Sequence, residues 1–225
     1  MNRDVSPRPD IDVCPGGAGT LLFETFESGA GAFTLNTPDF GGSTTDNSFV
    51  VNNAYAGGTG TFICLGFPFS MTAPPTPTQP VGVQNAPASS YMHIVSNALV
   101  AGGVSSASYL PAEGTCVFPG SHFASTSDVD VTGMEEIELS FYWLNEGSPQ
   151  ARGQVYYSAN SGTSWVQLAP AQVFHSQSAW TTFSARLPTR LNTIRLGFRF
   201  LNETGVAGSG PAFSVDDVRL ECVQP

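Results

Sequence analysis

The chain has 225 residues, 41% of them hydrophobic, and a net charge of −10 carried by 18 acidic groups against eight arginines and no lysine. That acidic balance argues against nucleic acid and against an anionic membrane surface as partners, and no run of about 18 apolar residues is present to span a membrane as a helix. Gly 24, Pro 17 and only 12% charged residues favour many short strands joined by turns over helices.

Residues 1–19 read as a flexible leader, and residues 1–9 do not form a signal-peptide pattern. The first strand is Thr20 to Glu27, followed by a Gly29-Ala30-Gly31 turn and a short continuation over 32–35. Segments 48–53 and 61–65 alternate as strands. Residues 67–90 hold six prolines and read as a long loop packed on a single domain spanning 20–225. The sheet resumes at Tyr91–Ser96, with further strands near 104–109 and 122–131. Ile137, Leu139, Phe141 and Trp143 make the apolar face of the clearest alternating strand. Strands 153–158 and 164–168 flank Ala159-Asn160-Ser161-Gly162-Thr163, a hairpin by its turn chemistry. Trp180 to Leu187 and Asn192 to Phe200 follow, the latter with Ile194, Leu196, Phe198 and Phe200 inward. No helix longer than a turn is expected. About a dozen strands in one chain imply an all-β fold, a two-sheet antiparallel β-sandwich or jelly roll.

The closing strand, Ala212 to Cys222, carries apolar groups on both faces and two adjacent carboxylates, Asp216 and Asp217. Ionised groups are costly to bury unpartnered, and neighbours on a strand point to opposite faces. Either one of the pair meets a cation or an arginine, or the strand leaves regular geometry there. The four cysteines lack Cys-x-x-Cys spacing, which argues against zinc and for disulfides in an oxidising compartment. Of three connectivities, Cys14–Cys222 with Cys64–Cys116 is favoured, making the first and last strands neighbours; buried free thiols are the alternative.

Reactive chemistry is sparse. His93, His122 and His175 have no metal-ligand spacing, and no His-Glu-x-x-His or Gly-x-Ser-x-Gly occurs. Glu135 and Glu136 read as solvated, and Glu138 is placed to pair with Arg195 or Arg199 across strands. For binding, Tyr142, Tyr156 and Trp180 stand at parities opposite to the core residues and are candidates for an exposed aromatic platform, on which sugars stack.

Four segments form one ordered pattern: Phe23-Glu24-Thr25-Phe26-Glu27-Ser28-Gly29, Ser158-x-Asn160-x-Gly162-x-x-Trp165, Ile194-Arg195-Leu196-Gly197-Phe198-Arg199-Phe200, and Phe213-Ser214-Val215-Asp216-Asp217-Val218. Over residues 20–223 this resembles the MAM-like and gingipain-type cleaved-adhesin jelly rolls of secreted Bacteroidota surface proteins exported by the type IX route. The resemblance implies an adhesion or glycan-binding role and a structural calcium near the first and last strands. Carried over by motif, its ligands would be Glu24, Glu27, Asp216 and Asp217. The expectation is therefore a non-catalytic, extracellular adhesion or assembly module of a cell-surface protein, partnered by a glycan or another surface protein. A carbohydrate-binding module of a polysaccharide-degrading system and a structural subunit of a surface filament or layer are the alternatives.

Overall fold

The computed structural model describes residue 14 and residues 17–42, 45–168, 174–203 and 210–224. The leader expected over 1–19 lies mostly outside them. Strands run over Gly19–Glu24 (β1), Phe33–Thr34 (β2), Asn47–Asn52 (β3), Gly58–Cys64 (β4), Phe67–Ala73 (β5), Tyr91–Ser96 (β6), Ala112–Glu113 (β7), Cys116–Val117 (β8), Gly120–Thr126 (β9), Val129–Asp130 (β10), Ile137–Asn145 (β11), Ala151–Ser158 (β12), Val166–Gln167 (β13), Gln177–Arg186 (β14), Thr193–Asn202 (β15) and Ser214–Cys222 (β16). A short helix, Asn97–Ala101 (α1), starts where the Ser96 hydroxyl accepts from Leu99 N, a capping bond that offsets an orphan donor.

Two antiparallel sheets pack face to face, as the expected β-sandwich requires. The first has the order β14-β11-β16-β6-β3, with β1 also on β16; the second has β13-β12-β15-β9-β2, with β10 also on β15. Alternation decides which side chains enter the space between them. Ile137, Leu139, Phe141 and Trp143 point in from β11, and Ile194, Leu196, Phe198 and Phe200 from β15, all buried. The Phe141 and Phe198 rings meet edge to face at 5.1 Å, an arrangement aromatic quadrupoles favour.

One edge of β16 is shared by two strands. Ser214 and Val215 pair with β6, while Val218 to Cys222 pair with β1. First and last strands are thus neighbours, and Cys14 is bonded to Cys222; Cys64 is bonded to Cys116.

Several expectations change. Residues 67–73 of the expected loop are strand β5, which pairs with β4 from Gly58↔Ala73 to Cys64↔Phe67 in a sheet of its own. Alternating Phe67, Phe69 and Met71 override the single Pro68. No ladder forms at 104–109; that segment leaves α1 and touches β6 through Ser108 N to Ile94 O, 3.0 Å. Glu138 and Arg195 lie in different sheets, so their expected pairing does not occur. Arg195 instead meets Asp128 at 2.9 Å, and Glu138 lies 4.0 Å from Arg186.

Residues 74–90, a strap, lie over part of the first sheet's outer face, tied there by Gln79, Gln84 and Ser89 to β16 and by Pro77 to Trp180. There Tyr91, His93 and Val95 of β6 are fully covered. The rest of that face, around β14, β11 and the C-terminal half of β16, stays open.

Candidate functional site

The acidic pair lies at the joint where β16 changes partner from β6 to β1. The strand resolves its conflict by leaving regular geometry. Ser140 and Tyr142 of β11 face Arg219 and Asp216, so β16 carries one extra residue between them. Asp217 takes up that residue with φ 48°, a left-handed conformation that aspartate tolerates better than most residues. The bulge lets Val215 and Val218 both enter the core while both carboxylates bond to the strap.

Asp216 is fully buried. Its Oδ2 accepts from Gln79 Nε2 at 2.5 Å and Ser89 Oγ at 2.9 Å, and its Oδ1 accepts from Asp217 N at 2.7 Å. Gln79 Oε1 in turn accepts from Ser89 N at 3.1 Å and lies against Ser89 Oγ, whose single proton is shared between Gln79 Oε1 and Asp216 Oδ2. Burial pushes the Asp216 carboxyl up to about 7, outweighing the donors that favour its ionised form. Asp217 Oδ2 accepts from Gln84 N at 2.9 Å. Its Oδ1 is buried and accepts no hydrogen bond from the described residues. Burial raises Asp217 too, the Gln84 N–H and the Arg219 charge oppose that rise, and Glu27 adds to it.

Buried phenols frame the clasp. Tyr55 donates to Ser89 O at 2.8 Å and Tyr91 to Ala54 O at 2.8 Å. Burial raises both phenols well above their ordinary range, which keeps them neutral donors. His93, also beneath the strap and stacked on Tyr91 at 4.4 Å, is lowered by burial to about 4 and is neutral in the fold.

The four acids implied for calcium do not converge. Glu24 holds the 26–32 turn, its Oε1 accepting from Phe26 N at 2.8 Å and its Oε2 from Ala32 N at 2.7 Å. Asp216 is engaged by the strap. Glu27 Oε1 accepts from Ser90 N at 3.1 Å. Among the described residues, no three His, Cys, Asp or Glu side chains group to hold an ion. N–H donors aimed at Glu24 and Asp216 occupy the oxygens a cation would need, so this set does not fit the six to eight oxygens calcium prefers.

The expected aromatic platform is likewise divided. Tyr156 is on β12, in the other sheet, buried against Phe40 with ring centroids 4.7 Å apart. Trp180 is buried under the strap, its Nε1 donating to Pro77 O at 2.8 Å. Sequence parity did not foresee a strap closing over one strand end and a loop over another. Tyr142 is left, and it lines a cleft of about 280 Å³ on the open half of the first sheet with Gly82, Ser140, Thr182, Asp217 and Arg219. Arg219 lies over the Phe23 ring at 3.8 Å, which fixes its direction. Gly82, at φ 117°, forms the strap-side wall; a Cβ there would come within 2.7 Å of Tyr142 Oη. Gln79, Gln84 and Ser89 were missed in the sequence. They stand among other polar side chains, Thr76, Thr78, Asn85 and Ser90, in a proline-rich stretch, so no local signal singles them out.

No known protein family matches the chain, and no curated protein matches it. Solved structures with a similar fold include the K1 cleaved adhesin domain of Lys-gingipain from Porphyromonas gingivalis W83, at 14% identity and TM-score 0.48, covering 92% of this chain and 100% of that one. The K3 cleaved adhesin domain is similar at 13% identity and TM-score 0.43, over 90% and 99% of the two chains. The carbohydrate-binding module TmCBM61, solved with β-1,4-galactotriose, is similar at 12% identity and TM-score 0.44, over 90% and 97%. The cleaved adhesins that the sequence motifs resemble are thus among the structures this fold is similar to.

Proposed function

We propose that the chain is a non-catalytic extracellular binding module that takes a glycan in the cleft beside Tyr142. The observation that carries this reading is the cleft of about 280 Å³ itself, walled by the Tyr142 ring and by Ser140, Thr182, Asp217 and Arg219. The phenol ring of Tyr142 offers a stacking surface, with Ser140, Thr182 and Arg219 as polar groups around it. The reading assigns no catalytic step. Asp216, the acid whose pKa lies near neutrality, is sealed behind Gln79 and Ser89 and has no exposed surface.

Binding of the chain to a panel of soluble and insoluble polysaccharides, followed by calorimetry, tests it. Tyr142→Ala and Asp217→Asn should each weaken the selected glycan at least tenfold, about 1.4 kcal/mol. Asparagine also tolerates positive φ, so the bulge should survive the second change. No selective binding by the wild type, or unchanged affinity in both variants, would remove the glycan from this cleft.

A further inference from the structure

On the outer face of the first sheet Tyr142 has a second large ring beside it. Tyr142 of β11 pairs with Thr182 of β14, and Trp180 lies two residues before Thr182. Diagonal neighbours of this kind stand roughly 7–8 Å apart, within reach of aromatic side chains. Both rings meet the strap, Tyr142 at Gly82 and Trp180 at Pro77, whose carbonyl accepts from Nε1 at 2.8 Å. The strap makes the two rings unequal. Tyr142 lines the open cleft, whereas Trp180 is 8% exposed. The cleft alone, at about 280 Å³, is small beside the roughly 300–1,000 Å³ of ordinary ligand sites.

The strap is held down by hydrogen bonds. Gln79 and Ser89 reach Asp216, Gln84 N reaches Asp217, and Thr76 N reaches Tyr55 O at 2.9 Å. Of its aliphatic side chains Val81, Val83, Ala86 and Ala88, only Val83 is buried, and none belongs to a core cluster. A hydrogen bond exchanged for one to water changes free energy little, so these ties yield more readily than apolar packing. The apolar cost of lifting the strap falls on Trp180, and a sugar face laid on that ring covers it again.

The middle of the strap also keeps its own shape. Gln79 N donates to Pro87 O at 3.2 Å, Val83 N to Pro80 O at 3.3 Å and Ala86 N to Val83 O at 3.2 Å. These bonds lie within the strap and survive its displacement, so residues 79–87 can move as one body without orphaning those donors.

We propose that Trp180 is a second stacking ring of the Tyr142 site, covered by the strap and uncovered when a glycan chain longer than the cleft displaces it. The proposal rests on the glycan reading of the cleft and deepens it, because the ligand becomes an oligosaccharide spanning both rings. A protein whose competent state is the minor one binds more weakly by that fraction, so loosening the strap tightens long chains.

Calorimetry with cello-, manno- and xylo-oligosaccharides of one to six units tests it, with hydrogen exchange of the strap amides as a second readout. Affinity in at least one series should rise at least tenfold from the monosaccharide to the hexasaccharide. Trp180→Leu, which keeps an apolar group under the strap, should remove that gain, and Trp180→Phe should restore part of it. Gln79→Ala should tighten the hexasaccharide at least threefold and leave the monosaccharide unchanged. In the wild type the hexasaccharide should speed exchange of the Gln84 amide, as its bond to Asp217 is lost. Slower exchange there on binding, or a length gain that survives in Trp180→Leu, would make the strap a fixed wall and overturn the proposal. Equal affinity at every length, abolished by Tyr142→Ala, would overturn it while leaving the glycan in the cleft. No binding at any length would overturn both.

Discussion

The sandwich and the β4–β5 arm, residues 58–73, follow the same alternating pattern with different outcomes. Strands of the sandwich bury their apolar parity between two sheets and keep their charges on the outer faces. The β4–β5 arm has no second sheet of its own. It buries Phe62, Cys64 and Ala73 in two small clusters and leaves Phe67 and Phe69 outside. Alternation specifies which side chains share a face; only a partner layer makes that face a core.

The largest expected effect tests whether the arm is subsidiary. Phe198→Ala, in the middle of the sandwich, should cost about 3–5 kcal/mol of global stability, read by denaturant unfolding. Phe62→Ala should cost less and expose only amides of the arm to hydrogen exchange. Equal global costs would make arm and sandwich one cooperative unit.

The disulfides sharpen the same contrast. In the chain-entropy treatment, the Cys14–Cys222 closure contributes about 5 kcal/mol and the shorter Cys64–Cys116 closure about 4 kcal/mol. Replacing both cysteines of the first pair by serine should lower the melting of the whole fold. The same change in the second pair should loosen hydrogen exchange in β4, β5, β7 and β8 first, with β11, β15 and β16 still protected.

A smaller effect probes how the strap is tied to the sandwich. Asp216 ionises near 4 in an unfolded chain but holds its proton to about 7 when buried. Between those values the folded state binds the extra proton, so stability falls as pH rises through the window. Asp216→Asn removes this dependence and should therefore gain on the wild type from pH 4 to pH 7 in paired melting curves. The reverse trend would mean that Gln79, Ser89 and the Asp217 N–H hold Asp216 ionised. The smallest expected effect is that of chelator. Because Glu24 and Asp216 are committed to N–H and hydroxyl donors, the melting temperature should stay unchanged within error. A drop of several degrees, reversed by added calcium, would instead assign an ion to Asp217 and Glu27.

Much of the sandwich was legible locally. Ile137 to Trp143 and Ile194 to Phe200 announce their buried faces by parity alone, and the Cys14 and Cys222 positions anticipate adjoining terminal strands. The adjacent aspartates were legible as a conflict, which the bulge at Asp217 resolves. The clasp was not legible. Gln79, Ser89 and Asp216 are brought together from positions 79, 89 and 216, and no local pattern encodes such a meeting.

By itself the sequence determined the all-β class, the inward faces of the long strands and the acidic balance, because each depends on residue type and short-range periodicity. The tertiary structure alone decided that Trp180 and Tyr156 are covered while Tyr142 is open, that Glu24 serves a turn, and that the hairpin tip stands uncovered. Those outcomes depend on which distant segment lies over each face, and a side chain's parity names its face without naming what covers it.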